Sequence, residues 1–332
     1  MNIKVDEFDS TKKSITQVKG LLLDDPFYPY RNYNRVDRKK YTEYFCNRIV
    51  ETSQTETESI ALLAKVKEKI TGVIAIRFAA WDSSYFGISM AKVVCLKARG
   101  STKDTIEIKK ALLGSLIQKC AEKRVQHLSI RIDLSDSTSL YVLEEMGFRV
   151  MTVEGVNILD TVKEDASRQK SSYFTVRQME EKDFPQLVSI GKEVASILKS
   201  HYHFDLRLPR DRVQNYYIEN VVNCCKGNNA DKMIVVEQEG RAVGFLAYNL
   251  SPDFTKIVNS RRASIVLFAL SRSQRGRGLS QPFLYELCTY TLTQADFIVG
   301  KVYLYNTGMV RLLTKFNPYP FCQYLYCLHK WL

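Results

Sequence analysis

The chain has 332 residues, 45% of them hydrophobic and 25% charged, which is typical of a folded protein long enough for two domains. Its polar N-terminus and the lack of an apolar run of about 18 residues argue against a signal peptide and a membrane span. The net charge of +12 favours anionic partners, and the scattered basic residues favour a phosphate-bearing small molecule over nucleic acid. The eight cysteines and four histidines lack metal-ligand spacing, so we expect reduced thiols, no metal site and a cytoplasmic location.

The two halves of the chain repeat one pattern at an offset of 172 residues. Residues 41–78 align with 213–250 without a gap, and Gly72 falls on Gly244. Each of these stretches predicts a helix and then two apolar strands joined by a charged turn. The later elements that align are the strands 91–96 and 263–268, the helices near 108–122 and 280–292, and the strands 127–132 and 297–304.

This order of elements predicts an α/β fold (α+β in detail), with a mixed sheet and helices on both of its faces. The polar segment 160–172 predicts a linker. We therefore expect two contiguous domains, residues 1–162 and 173–332.

A basic loop that contains glycine follows the apolar strand ending near Leu270 and precedes an amphipathic helix. The first N–H groups of a helix have no partners within it, and the helix dipole adds positive charge there. Gly276 and Gly278 allow the backbone to approach an anion closely, and the arginines of the loop supply charge. The loop therefore predicts a binding site for a diphosphate, with an ordinary strand-to-helix turn as the alternative.

The segment SRSQRGRGLS resembles the pyrophosphate loop of the GNAT acyltransferase superfamily, whose pattern is Q/R-x-x-G-x-G/A. Ser273 stands where Gln or Arg is usual. The resemblance implies acetyl-CoA as the cofactor, with its pantetheine arm paired to the main chain near Phe268 and Leu270. The loop residues that it implies for the pyrophosphate are Arg275, Gly276, Arg277, Gly278, Leu279 and Ser280.

The segment YLYNTGMVRLLTKFN resembles the strand–Asn–helix element of the same superfamily. Asn306 matches the Asn whose side chain helps to hold the cofactor. A Tyr seven residues later often protonates the leaving thiolate in the family, but Leu313 is found here. Tyr303 and Tyr305 border Asn306, and strand alternation predicts that both point to one face. Tyr305 is the candidate acid.

A closer resemblance, over nearly the whole chain, is to the dTDP-fucosamine (dTDP-4-amino-4,6-dideoxygalactose) N-acetyltransferase group. Two segments carry it: AAWDSSYFGISMAKV, and SHYHFDLRLPRDRVQNYYIENVV, which begins at Ser200. The resemblance implies tandem GNAT-like domains, each with a mostly antiparallel sheet, and transfer of an acetyl group to a nucleotide-linked amino sugar. The substrate-binding residues that it implies are Ser200, Tyr202 and Asp205. The N-terminal half lacks the GxG loop and is expected to be a degenerate copy.

His201 and His203 lie close to Asp205 in the sequence, and the ordinary pKa of histidine suits a general base. We therefore list both histidines as catalytic candidates, while phosphate binding or a surface loop remains the alternative. The expected partner is a small-molecule amine. Two alternative functions stay open: acetyl transfer to another amine, such as a protein or an antibiotic, and a non-catalytic acyl-CoA-binding or scaffold role. A second copy of the chain, in a homodimer, is a further candidate partner.

Overall fold

The computed structural model describes residues 1–54, 59–161 and 174–332. The chain forms two compact units, Met1–Val153 with Gln323–Leu332, and Glu154–Cys322. The expected linker lies outside the described residues from position 162 onward, as do the expected domain limits at 162 and 173. No helix in the described part of the chain is long and apolar enough to cross a membrane.

The elements follow the predicted order in both halves. The strands are β1 (Lys4–Glu7), β2 (Ser59–Val66), β3 (Lys69–Phe78), β4 (Met90–Ala98), β5 (His127–Asp133), β6 (Arg149–Leu159), β7 (Thr175–Gln178), β8 (Lys232–Gln238), β9 (Arg241–Leu250), β10 (Arg262–Leu270), β11 (Phe297–Tyr303) and β12 (Phe321–Trp331). The helices are α1 (Lys12–Leu23), α2 (Arg38–Gln54), α3 (Ala80–Phe86), α4 (Thr102–Glu122), α5 (Ser137–Glu145), α6 (Phe184–Ala195), α7 (Arg210–Cys225), α8 (Pro252–Val258), α9 (Ser280–Leu292) and α10 (Thr307–Phe316).

The two units have the same sheet topology. The strand order is β1-β2-β3-β4-β5-β12 in the first unit and β7-β8-β9-β10-β11-β6 in the second. In each unit one pair is parallel, β4 with β5 and β10 with β11. The other pairs are antiparallel. The predicted mixed, mostly antiparallel sheets are therefore confirmed.

The last strand of each sheet comes from the other half of the sequence. Strand β6 begins in the first unit, but its residues Glu154–Leu159 pair with β11. The final strand, β12, pairs with β5. The compact units therefore differ from the contiguous ranges 1–162 and 173–332. Both strands are 11 residues long, so their length and pattern do not indicate which sheet each one joins.

Each sheet is packed on both faces, because alternate residues of its strands point to opposite sides. In the first unit, Leu62 of β2 packs with the α4 side of the sheet, and Leu63 packs with the α1–α2 side. In the second unit, α9 and α10 cover one face and α6 and α7 cover the other. The helix layers therefore leave the ends of the strands as the place for a site.

Gly72 and Gly244, which the repeat aligns, occupy the same structural position. A Cβ atom at Gly72 would lie 2.5 Å from Ile108 Cγ2, and one at Gly244 would lie 2.1 Å from Phe283 Cζ. Both neighbours belong to the helix that follows the third long strand of the unit. The glycines are therefore required for close packing of that helix on the sheet.

The segment around Trp81 forms α3. Trp81 stacks on Tyr85 with ring centroids 5.5 Å apart, and Ser83 Oγ accepts the Met90 N–H at 2.9 Å. Gly87 ends the helix with a φ of 68°, in the left-handed region that favours glycine. These contacts give the motif a role in the fold of the first unit.

Candidate functional site

Strands β10 and β11 pair over only three residues and then separate. Their register runs from Arg262 opposite Phe297 to Ser264 opposite Val299, and no further pairing between them occurs in the described residues. Beyond it, β10 continues along β9 and β11 continues along β6. The two inner edges therefore border a wedge in which an extended ligand can hydrogen-bond to the backbone.

The predicted strand residues lie at the end of this wedge. Strand β10 has an irregularity between Ile265 and Leu267, which increases its local twist. The Phe268 side chain is half-buried and packs edge-on against Phe283, with ring centroids 5.8 Å apart. Leu270 is buried, and β10 ends there, directly before the basic loop.

The basic loop has the geometry that anion binding needs. Gly276 and Gly278 have φ values of 75° and 72°, which L-residues rarely adopt. Helix α9 begins at Ser280, and the side chain of its N-cap residue, Leu279, makes no capping hydrogen bond. The helix dipole and the N–H groups at this end of the helix therefore favour a phosphate.

The three arginines of the loop are not equivalent. Arg275 is half-buried and donates from Nε and Nη2 to the Leu270 carbonyl oxygen, at 2.9 and 2.7 Å. Burial lowers its pKa below the ordinary value of an arginine side chain. Arg272 and Arg277 are exposed. Arg275 therefore braces the loop, and the exposed pair offers charge to a ligand.

A carboxylate that the sequence analysis missed lies against this loop. Glu193 Oε2, at the end of α6, accepts the backbone N–H of Arg272 at 2.5 Å and lies 4.0 Å from Arg275 Nη2. The Glu193 side chain is one-third exposed. The Glu193 carboxylate therefore accepts a backbone N–H of the loop, as an anionic ligand would.

Asn306 caps the helix that follows the wedge. Its Oδ1 accepts the Met309 N–H at 3.2 Å, and its amide nitrogen can still donate. Leu313, at the position of the expected tyrosine, is buried in the core under α10. That position therefore supplies packing and no proton.

The segment 200–205 forms a compact turn in the second unit. Ser200, His201, Tyr202 and Asp205 are all less than 9% exposed. The His201 N–H donates to the Tyr303 hydroxyl at 3.4 Å. The structure therefore brings the histidine turn to the end of β11, next to the wedge.

His203 is held by a specific hydrogen bond. Its Nδ1 accepts the Ser200 N–H at 2.9 Å and lies 3.0 Å from the Ser200 hydroxyl. Burial lowers the pKa of His203, and Lys199 and Arg210 act in the same direction. The neutral ring therefore carries its proton on Nε2, and the Nδ1 lone pair is occupied.

Tyr303 and Tyr305 point to one face, as the alternation predicts. Their rings stack with centroids 5.6 Å apart, and Phe204 meets Tyr305 edge-on at 5.7 Å. Burial raises the pKa of Tyr305 to about 12, against the hydrogen bond with the Lys199 backbone, which lowers it. Tyr305 is 39% exposed, so its protonated hydroxyl can donate to a ligand.

A second carboxylate missed by the sequence analysis is Glu154. It is 2% exposed and lies opposite Tyr303 in the register of β6 and β11. Residues opposite each other in an antiparallel pair have their side chains on the same face. Burial raises the pKa of Tyr217, and Tyr303, Tyr305 and Glu154 add to that effect, so these four groups form one cluster.

Comparison with known proteins finds a family model that matches part of the chain. Residues 193–317 match the sequence model of the Acetyltransferase (GNAT) family. The matched range includes the loop, the wedge and Asn306. No curated protein sequence matches the chain at a significant level.

Solved structures resemble the whole chain. One is a fungal multi-domain β-N-acetylglucosaminidase with a GCN5-related glucosamine N-acetyltransferase region, at a TM-score of 0.60 and 12% identity. The match covers 99% of this chain and 38% of that chain. A tandem GNAT protein from the clavulanic acid biosynthesis pathway has a TM-score of 0.56 and 10% identity, with 99% of this chain and 98% of that chain covered. A GCN5-related N-acetyltransferase from Sphaerobacter thermophilus gives 0.55 and 12%, with 99% and 95% covered. The predicted tandem GNAT-like fold is confirmed.

Proposed function

We propose that this chain, an enzyme of the GNAT acetyltransferase type, moves an acetyl group from acetyl-CoA to a primary amine on a nucleotide-linked amino sugar. The main observation behind the proposal is the geometry of the connection between β10 and α9. There an open strand edge leads into two left-handed glycines and an uncapped helix N-terminus in the described chain. A pantetheine arm and a diphosphate need these two features in this order.

The residues present fit the cofactor. The backbone N–H groups from Gly276 to Ser280 would hold the diphosphate, because the Arg275 N–H already donates to the Arg272 carbonyl oxygen at 3.1 Å. The main chain near Phe268 and Leu270 would pair with the arm. Asn306 keeps an amide nitrogen for the same ligand. When bound, acetyl-CoA supplies an acetyl group activated as a thioester.

Two groups of the chain can handle protons at the end of the wedge. The Tyr305 hydroxyl stays protonated at neutral pH and can donate a hydrogen bond to a departing sulfur. Glu154 offers a buried carboxylate to an amine proton. His203 is better suited to positioning, because its Nδ1 lone pair is occupied and its Nε2–H can only donate. His201 is buried and would support the turn.

The acceptor class rests on charge and aromatic surface. A net charge of +12 favours an anionic acceptor over a cationic one such as a polyamine. Phe204 and Tyr305 form a partly exposed aromatic pair beside the turn, on which a base or a sugar can stack. Ser200, Tyr202 and Asp205 would hold this surface in place from below.

One observation favours a second function, acyl-CoA binding without turnover. The position of the usual tyrosine acid is filled by Leu313, which is buried. If Tyr305 does not replace that acid, the loop would bind acyl-CoA and release it unchanged.

The deciding experiment is calorimetric titration with acetyl-CoA, followed by nucleotide-linked amino sugars while free thiol is monitored. Micromolar binding with thiol release on one sugar would establish the enzyme and its acceptor. Binding without thiol release from any amine supports the second function. No binding of acetyl-CoA would contradict both.

A further inference from the structure

The first unit contains a cavity at the position where the second unit has its basic loop. Its volume is about 240 Å³, and it is lined by the end of β4, the start of α4 and the connection after α1. With the repeat offset of 172, its lining range 98–109 corresponds to 270–281. After a gap of two residues in the alignment, Asp136 corresponds to Asn306. The six charged residues around it are Asp24, Asp25, Lys97, Arg99, Lys109 and Asp136.

Two cations at the end of β4 are paired with carboxylates of the chain. Arg99 Nη2 lies 2.7 Å from Asp24 Oδ2, and Lys97 Nζ lies 2.5 Å from Asp25 Oδ2. Residues two apart on a strand point to the same side, so both cations face one space. The side chain of Asp24 is 65% exposed and that of Asp25 is 12% exposed. The outer pair is therefore weak and the inner pair is more firmly held.

The third cation is locked into the wall. Lys109 is 4% exposed, and its Nζ contacts Asp136 Oδ1 at 3.1 Å, Thr138 Oγ1 at 2.8 Å and Ser139 Oγ at 2.7 Å. These three contacts use all three donors of an ammonium group. Lys109 therefore has a structural role, and only Arg99 and Lys97 can respond to a change of partner.

The N-terminus of α4 is also occupied. Ser101 Oγ accepts the Asp104 N–H at 3.2 Å, and the Asp104 carboxylate accepts the Ser101 N–H at the same distance. This capping box uses N–H groups that α9 leaves uncapped. Carboxylates of the chain therefore stand at each point where an acyl-CoA site presents positive charge.

We propose that this cavity is an anion site that shares its ancestry with the basic loop of the second unit. Asp24 and Asp25 of the chain itself occupy the site, so that a nucleotide diphosphate cannot bind there. The two aspartates are carried on the connection after α1, and they neutralise the cations that a phosphate would otherwise contact. The first unit then binds no diphosphate in the native protein. Loss of both carboxylates uncovers Arg99 and Lys97 as a binding pair.

The test uses inorganic pyrophosphate as the probe, with isothermal calorimetry on the full chain at low salt. The wild-type protein should show at most the site of the second unit. D24N/D25N should show one additional pyrophosphate site. The Kd of this site should be at least tenfold lower than that of any binding to the wild type beyond the site of the second unit. D24N/D25N/R99A should lose that site, because its main cation is gone. This comparison does not depend on whether the second unit is active.

Circular dichroism and thermal unfolding check that each variant is folded. If D24N/D25N does not fold, D24N alone is used, because Asp24 is mostly exposed; it should gain weaker binding. A folded D24N/D25N that binds as the wild type does would overturn the proposal. Additional binding that survives R99A would overturn it as well.

Discussion

Glu193→Gln should tighten the binding of coenzyme A, although the change removes a hydrogen-bonded carboxylate from the loop. In the free protein the Glu193 carboxylate accepts the Arg272 N–H at 2.5 Å. A diphosphate that approaches the loop must displace this carboxylate or stay next to its negative charge. The native contact therefore stabilises the free state over the bound state.

The size of the effect follows from the hydrogen bond. A hydrogen bond to a charged group contributes about 1.5–3 kcal/mol, and one between neutral groups about 0.5–1.5 kcal/mol. Glutamine keeps a neutral acceptor, so the free loop loses roughly 1 kcal/mol of this stabilisation. If the diphosphate displaces the carboxylate from Arg272, this loss corresponds to about a fivefold lower Kd. The loss of charge repulsion acts in the same direction and weakens with salt, because the side chain is one-third exposed.

Calorimetry of coenzyme A with wild type, E193Q and E181Q measures the effect. Glu181 is an exposed carboxylate before α6, so E181Q makes the same change in net charge. It precedes the N-terminus of α6, whereas Glu193 lies in the last turn of that helix. E193Q should bind about fivefold more tightly than both others. Equal or weaker binding by E193Q would refute the competition between Glu193 and the diphosphate.

Three further changes test other parts of the site and the fold. Arg277→Glu should weaken coenzyme A binding at least tenfold with little change in Tm, because Arg277 is exposed on the loop. Calorimetry measures the affinity, and an unchanged affinity would contradict the role of the loop. Burial lowers the pKa of His203, so protonation below about pH 6.5 favours the unfolded chain and the free energy of unfolding should fall there. In urea unfolding, the free energy of unfolding should differ less between pH 5.5 and pH 7.5 for His203→Asn than for the wild type. An equal difference in both proteins would mean that another group causes the pH dependence. Gly244→Ala should lower stability by about 1–3 kcal/mol through overlap with Phe283, whereas Gly114→Ala, whose Cβ meets no atom within 4 Å, should not; thermal unfolding of the two distinguishes them.

Much of the fold could be predicted because its main determinant is local periodicity. The repeat aligned the helices and strands of both units, and the shared Gly72 and Gly244 mark one packing contact in each. The exchange of β6 and β12 was not predictable. Strand pairing depends on neighbours distant in sequence, and two apolar strands of equal length are interchangeable by pattern alone.

The conformation of the basic loop could be anticipated, because glycine readily adopts backbone angles that other residues rarely do. Gly276 and Gly278 are needed for positive φ, and their spacing shows in the sequence. Glu193 and Glu154 were missed, because a single glutamate on a helix or strand resembles any solvent-facing charge. Their importance comes from where the chain brings them: one against Arg272 and the other, buried, opposite Tyr303.

The two units illustrate how a helix N-terminus exchanges ligand binding for stability. At α4, the Ser101–Asp104 capping box satisfies N–H groups within the chain, an arrangement that contributes about 1 kcal/mol to stability. At α9, the corresponding groups have no side-chain cap in the described residues, and a left-handed glycine precedes them at Gly278. A helix end of this second kind is less stable alone and gains the missing interactions only from an anion. Under the proposed function, the helix end without a side-chain cap marks the unit that would bind the cofactor, and the capped helix end marks the unit that would not.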